Sequence, residues 1–189
     1  MTIFLVRHGE TEWNRARRYQ GWSDSPLTED GIAQAAALGR RLAALPDAAA
    51  ADIVASPLGR ARHSAEIIAE CLGRSQPPRL DDRLREVSLG GWDGLQRQEV
   101  RRRLGARFVE WQWYFLTPDG ERYEAFAARL AEWLDDAGET PLIAVCHGVV
   151  TRVLRGLYAD LPRDAALRLA VPQDRIFRLG DGAIEEIAA

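Results

Sequence analysis

The sequence predicts an α/β protein with a mostly parallel central sheet, helices on both faces and an antiparallel hairpin at the C-terminal edge. Three observations carry this. Short strand-like runs recur at Ile3–Val6, Asp52–Ala55 and Pro141–Cys146, and stretches with helical spacing of apolar residues separate them. That β-α-β-α alternation is the pattern of parallel strands joined by crossover helices. The third observation is the pair Arg175–Leu179 and Ala183–Ile187 around Gly180-Asp181-Gly182, which reads as a hairpin.

Each element has its own local reason. Ile3 to Val6 are apolar in succession, as in a strand buried on both faces, and run straight into Arg7-His8-Gly9. Thr28 is a good N-cap, with Glu29 and Asp30 in the first turn where the helix dipole favours acids, and Ile32, Ala35, Leu38, Leu42 and Leu45 form a helical stripe. Ser56-Pro57 reads as an N-cap followed by Pro at the first helical position. Ala61, Ala65, Ile68 and Leu72 continue that helix and Gly73 ends it. A helix is expected over Glu121–Asp136, carrying Phe126, Leu130, Trp133 and Leu134, and another over Gly148–Tyr158 directly after the third strand. Segment 90–120 is rich in Arg, Gly and Trp without periodicity and is expected to be a lid or subdomain of a single domain spanning 1–189.

Composition narrows the function. The chain is 47% hydrophobic and 28% charged, ordinary for a globular protein, and its net charge of −3 offers no basic field for nucleic acid. All 25 cationic residues are Arg, which excludes a Schiff-base lysine and a P-loop lysine. Cys71 and Cys146 do not make a disulfide framework. The first residues lack a basic leader with an apolar run, and no apolar stretch approaches the roughly 20 residues of a membrane helix. No membrane partner is expected, and a reducing cytoplasm is the expected location.

Four separated segments hold the chemically interesting groups: Arg7-His8-Gly9-Glu10-Thr11 with Asn14 and Gln20 downstream, Ser56-Pro57-Leu58-Gly59-Arg60-Ala61-Arg62, Leu84-Arg85-Glu86 leading to Gly90-Gly91-Trp92-Asp93-Gly94, and Cys146-His147-Gly148. His8 and His147 both follow strands, and open α/β sheets place ligand sites at that rim. An imidazole beside a guanidinium suits attack on an anion, foremost a phosphoryl group. Phosphoryl transfer depends on a positioned nucleophile and neutralised equatorial oxygens. Arg7 and Arg60 can fork onto those oxygens, and Arg60 gains from its place in the first turn of a helix. The leaving oxygen needs an acid, for which Glu86 is the candidate. An ion pair of Glu86 with Arg83 or Arg85 on the surface is its bland alternative.

In these motifs the chain resembles the histidine phosphatase superfamily, or phosphoglycerate mutase-like family. The carriers are Leu5-Val-Arg-His-Gly-Glu-Thr-Glu-Trp-Asn14, Ser56-Pro-Leu-Gly-Arg-Ala61, Leu84-Arg-Glu86 with Gly91-Trp-Asp-Gly94, and Cys146-His-Gly148, in the family's order over most of the chain. The resemblance implies that His8 becomes a phosphohistidine, that Arg7, Arg60 and His147 hold the phosphoryl group with help from Asn14, and that Glu86 donates the proton. It implies neither metal nor cofactor and a small phosphorylated substrate; Gln20 and Gly148 are expected to join in binding it. A backbone carbonyl is expected to fix the His8 tautomer. Glu86 is followed by Val87-Ser88-Leu89 where the glycolytic mutases carry Arg-His-Tyr, and Tyr19-Gln20-Gly21-Trp22 is more similar to the phosphatase branch. Hydrolysis is therefore expected over the mutase-type phosphotransfer that stands as the alternative.

Other classes compete. Cys146-x5-Arg152 fits the spacing of a cysteine phosphatase loop, though two valines within it fit poorly. A metallohydrolase built on His8 and His147 would set its cation against Arg7 and Arg60. A non-catalytic binding protein would lack part of the His-Arg-Glu set. His63, Arg62 and Arg101–Arg103 read as solvated residues. Of Trp22, Trp92, Trp111 and Trp113, one is expected to line the pocket and the others to pack.

Overall fold

The computed structural model describes residues 1–189. Its centre is a six-stranded sheet in the order β3-β2-β4-β1-β5-β6, formed by β1 (Ile3–Arg7), β2 (Asp52–Ala55), β3 (Arg79–Leu80), β4 (Leu142–Cys146), β5 (Arg175–Gly180) and β6 (Ala183–Ala188). β1, β2, β3 and β4 pair in parallel, and β5 runs antiparallel to both β1 and β6. The hairpin thus does more than decorate an edge, because β5 lies directly against β1. Its turn residues Asp181 and Gly182 both have positive φ, the geometry of a tight two-residue turn.

The unbroken apolar character of β1 follows from its burial on two sides. Ile3 and Leu5 enter one core with Ala144, Leu130, Val153 and Phe177, while Phe4 and Val6 enter the other with Val145, Leu38 and Ile68. The second core is capped by α2 (Glu29–Ala43) and α4 (Gly59–Cys71); the first by α6 (Tyr123–Asp135) and α7 (Gly148–Tyr158). Short helices α1 (Glu12–Arg15), α3 (Pro46–Ala49), α5 (Arg97–Leu104) and α8 (Arg163–Arg168) fill the connections. No helix is long and apolar enough to cross a membrane.

Several boundaries differ from the sequence reading. Thr28 caps α2 as expected, its side chain accepting from Gly31 N–H at 3.0 Å, but Ile32 is exposed and Leu45 caps the next short helix. Ser56 is not the cap of α4. The chain bends at Pro57 and Leu58, Leu58 is the residue that precedes the helix, and Ser56 instead accepts from Leu58 N–H at 3.3 Å while facing His147. Gly73, at φ 66°, ends that helix as expected. Helix α6 starts at Tyr123 because the Glu121 carboxylate is held by Arg129 and its N–H by Ser88 O. Segment 90–120 contains α5 and isolated helical turns, and buries Val100, Leu104, Trp113 and Phe115 in the same core as α6 and α7.

Candidate active site

Strands β1 and β4 end level with each other: Arg7 pairs with Cys146 and His8 N–H donates to Cys146 O at 3.0 Å. The next residue of each chain is therefore delivered to the same rim. The His8 and His147 rings lie 5.2 Å apart at 61°. Gly9 is required at the first turn, since a Cβ there would stand 2.1 Å from Gly31 O. The close passage lets His8 turn back on the chain, and its Nδ1 lies 2.7 Å from Gly9 O. A carbonyl only accepts, so Nδ1 carries the hydrogen and Nε2 keeps its lone pair. The tautomer-fixing carbonyl expected from the sequence is there. Burial, then the charges of Arg60 and Arg7, hold the His8 pKa well below the usual imidazole value, so the ring is neutral near pH 7.

His147 is oriented from its opposite side. Its Nε2 lies 2.7 Å from Ser56 Oγ, which also accepts from Leu58 N–H. No other acceptor bonds to the Ser56 hydroxyl, so its proton goes to Nε2 and the imidazole hydrogen sits on Nδ1. That Nδ1 is buried without a protein partner. Burial, then Arg60, also keeps this ring's pKa well below its ordinary value.

Two guanidinium groups flank the imidazoles. Arg7 donates from Nη1 to Val171 O at 2.8 Å, and burial lowers its pKa to about 10 against the pull of Glu86. Arg60, the second residue of α4, donates to Ser23 O (2.9 Å), Asp24 Oδ1 (3.1 Å) and Gly21 O (2.7 Å). Burial lowers its pKa despite Asp24. In each residue the Nε–H is buried and has no protein acceptor. Glu86 accepts from Val87 N–H at 3.0 Å and from Val149 N–H, in the first turn of α7, at 3.2 Å. The surface ion pairs that were its alternative are absent: Arg83 pairs with Asp81 and Asp136, and Arg85 with Asp82. Trp22 Nε1 and Arg129 both donate to Glu86 O, pinning its backbone.

These groups meet at a pocket of about 280 Å³ lined by Arg7, His8, Asn14, Gln20, Arg60, Glu86 and Gly148. His147 is fully buried beside His8, their ring centres 5.2 Å apart, and is not among the wall residues. Asn14 Oδ1 accepts from Thr11 N–H at 3.2 Å, leaving its NH2 group for the pocket, and Gln173 ties His8 O to the same corner at 3.1 Å. Gln20 donates to Thr11 Oγ1 at 2.8 Å and has a buried Oε1 without a partner. Gly148 is the first residue of α7, where backbone N–H groups lack intrahelical acceptors.

Sequence reasoning gave Ser56, Arg152 and Tyr114 no place at this site. Ser56 stood within a quoted motif but was assigned only a helix-capping role; Arg152 was named only for the cysteine-phosphatase spacing, although it stands four residues after Gly148; Tyr114 lies where no periodicity exists. Trp111 is the tryptophan that lines the pocket, and Trp113 is core. His63 and Arg62 are exposed, the latter paired with Glu66 at 3.5 Å. Cys146 does not fit the thiolate alternative. It is buried in the core, off the pocket wall, with its thiol pushed up to about 12 by burial. No group of three or more His, Cys, Asp or Glu side chains is gathered to hold a metal ion.

A mostly parallel α/β sheet whose rim gathers two neutral imidazoles and two buried guanidinium groups at an open pocket defines a protein suited to a small oxyanion. The chain belongs to the histidine phosphatase superfamily (branch 1), whose sequence pattern matches residues 3–180. It is 38% identical over 191 residues to the Erwinia tasmaniensis protein named "Probable phosphoglycerate mutase GpmB", covering 95% of this chain and 84% of that one. Among solved structures it is similar to Bacillus stearothermophilus YhfR (33% identity, TM-score 0.78, 99% of this chain and 95% of that one). It is also similar to a mycobacterial glucosyl-3-phosphoglycerate phosphatase solved with VO3 (28% identity, TM-score 0.80, 100% and 96%). The fold is the phosphoglycerate mutase-like one that the motifs implied.

Proposed function

We propose that this member of the superfamily is a metal-independent phosphomonoester hydrolase working through a phosphohistidine on His8. The supporting observation is one set of complementary atoms: the His8 Nε2 lone pair, and the Arg7 Nε–H, Arg60 Nε–H and His147 Nδ1–H groups, which are buried and without protein acceptors. Buried donors are rarely left unpaired unless a ligand or water completes them. A phosphoryl group supplies the oxygens these donors lack.

In the first step the phosphate is held by Arg7, Arg60 and His147, with Asn14, Gln20 and the Gly148 N–H as further contacts. His8 Nε2 forms a bond to phosphorus as the ester P–O bond breaks, and the Glu86 carboxyl gives its proton to the departing alcohol. In the second step the Glu86 carboxylate takes a proton from water, whose oxygen attacks phosphorus. The P–N bond breaks, and inorganic phosphate and neutral His8 are regenerated. Splitting one displacement into two lowers each barrier. Segment 90–120, which brings Trp111 and Tyr114 to the wall, acts as the cover of a single-domain enzyme. Arg7 and Arg60 make the same pocket unfavourable for a divalent cation.

Mutase-type transfer is the competing reading, favoured by the name carried by the 38% identical relative. Water is preferred as acceptor because Glu86 is followed by Val87-Ser88-Leu89 and the chain has no lysine to hold a second phosphorylated substrate. Rapid quenching during turnover of an aryl phosphate is expected to trap an acid-labile, base-stable phosphoryl group on His8 that decays to free phosphate. Label on another residue, or its transfer to phosphoglycerate ahead of water, overturns the proposal.

A further inference from the structure

Trp22 occupies neither place expected of a tryptophan here. It is not a wall residue of the pocket, belongs to neither core and is 46% exposed. Its one polar group is nonetheless committed, for the indole Nε1–H donates to Glu86 O at 2.8 Å. At that exposure the N–H is free to bond to water, yet it is tied to the backbone of the proposed proton donor. Packing does not account for such an indole.

The tie matters because of where Glu86 stands. Residues 86–89 form neither helix nor strand, so no backbone ladder sets the position of the carboxyl. Side-chain and helix-end contacts do it instead. The carboxylate accepts from Val87 and Val149 N–H, and the carbonyl of the same residue accepts from Trp22 and, at 3.2 Å, from Arg129 Nη2. Arg129 is itself forked onto Glu121 at 2.7 and 2.9 Å.

Trp22 is held on both sides. The carbonyls of Gly21 and Ser23 accept from Arg60 Nη2 at 2.7 Å and Nη1 at 2.9 Å, and Ser23 N–H donates to Asp93 Oδ2 at 2.6 Å. Gly21 has φ 53°, and a Cβ there would stand 2.1 Å from Asp93 Oδ1, so the turn requires glycine. One short loop therefore carries Arg60 on its backbone and Glu86 on its side chain.

We infer that Trp22 is a positioning residue for Glu86, whose indole N–H sets the carboxyl at the leaving oxygen and links that placement to the arginine holding the phosphate. This rests on the phosphatase reading above, in which Glu86 gives its proton to the departing alcohol as His8 Nε2 bonds to phosphorus. Trp22 itself touches neither group of the substrate. Losing its N–H changes no charge at the pocket, so the effect falls on proton transfer, which tolerates little misplacement.

The test compares kcat/KM, which reports the steps through loss of the first leaving group, for propyl phosphate and dinitrophenyl phosphate. Propanol must be protonated as it departs; dinitrophenolate leaves as the anion. Glu86→Gln is expected to slow the propyl ester about 10²-fold more than the dinitrophenyl ester. Trp22→Phe keeps a ring beside Arg85, whose Cζ lies 5.2 Å from the indole centroid, and removes the N–H. It is expected to slow the propyl ester about three- to tenfold, the scale of one hydrogen bond, and the dinitrophenyl ester by less than about twofold. In the Glu86→Gln background the same substitution is expected to leave both rates within about twofold, since the acid it positions is gone. General damage to the fold slows both esters in both backgrounds and cannot imitate this pattern. A ratio of the two esters unchanged by Trp22→Phe, or a second fall of the same size in the Glu86→Gln background, overturns the positioning role and leaves the hydrolase standing. A Glu86→Gln ratio equal to that of the wild type overturns the proton-donor reading and this inference with it.

Discussion

His8 and His147 are the same side chain placed in the same way, each immediately after one of two adjacent parallel strands, yet their environments make them chemically opposite. A carbonyl holds His8 through Nδ1, which frees the Nε2 lone pair; a hydroxyl holds His147 through Nε2, which frees an Nδ1–H. One ring can therefore attack and the other can only donate. Neither role is a property of imidazole. It is set by whether the atom behind the ring is an acceptor alone or carries a proton of its own.

The sharpest way to break this comparison is to remove each ring in turn. His8→Ala is expected to reduce phosphatase turnover to background, a loss on the order of 10⁴-fold or more, because the nucleophile is gone. His147→Ala removes one buried donor to the phosphoryl oxygens and is expected to cost about 10²–10³-fold in kcat. Steady-state phosphate release from an aryl phosphate measures both. Equal losses would mean that the rings do not divide the work as their hydrogen bonds indicate.

A finer cut leaves both rings and alters only what lies behind one. Ser56→Ala takes away the hydroxyl that donates a hydrogen bond to His147 Nε2, so the Nδ1–H is no longer enforced. A decrease of about tenfold in kcat is expected, the scale of one neutral hydrogen bond, with Ser56→Thr restoring most of it. If Thr fails to rescue, Ser56 matters for packing rather than for the tautomer.

Both histidines are neutral in the fold and both regain the ordinary value near 6.5 when it unfolds. Below that value the unfolded chain binds protons that the native chain refuses, so stability falls as pH drops, by about 1.4 kcal/mol per unit for each ring until its depressed native pKa is reached. Urea unfolding at successive pH values below 6.5 should show this slope, and His147→Gln should lessen it. A wild-type slope of opposite sign would require charged rings in the native state. The smallest effect is expected from Cys146→Ser: turnover within about twofold of wild type, since this thiol, pushed up to about 12, faces the core and not the pocket.

Much of the rim was legible because its parts lie in contiguous motifs with strong local grammar. Arg7-His8-Gly9, Glu86 and His147-Gly148 were found at strand or turn ends, and the structure brings them together as the alternating β-α pattern required. What escaped had a different cause. Ser56 looked like a cap because Ser-Pro is a good helix start; only the later start of the helix, at Gly59, leaves its hydroxyl to face a histidine 91 residues away in sequence. Trp111 and Tyr114 belong to a stretch whose burial is set by contacts with α6 and α7, so no local period could announce them. The exposed Ile32 shows the converse, a residue that satisfies a helical stripe yet finds no partner.

By itself the sequence determined the class of sheet, the elements bearing the two imidazoles and the identity of the chemical groups, since strand burial, capping and motif spacing are local. The tertiary structure alone decided which nitrogen of each ring is free and which guanidinium hydrogens go unpaired. Those outcomes depend on single atoms of distant segments lying within hydrogen-bond reach, and a proton's position on a ring is fixed only when its partner across the fold is in place.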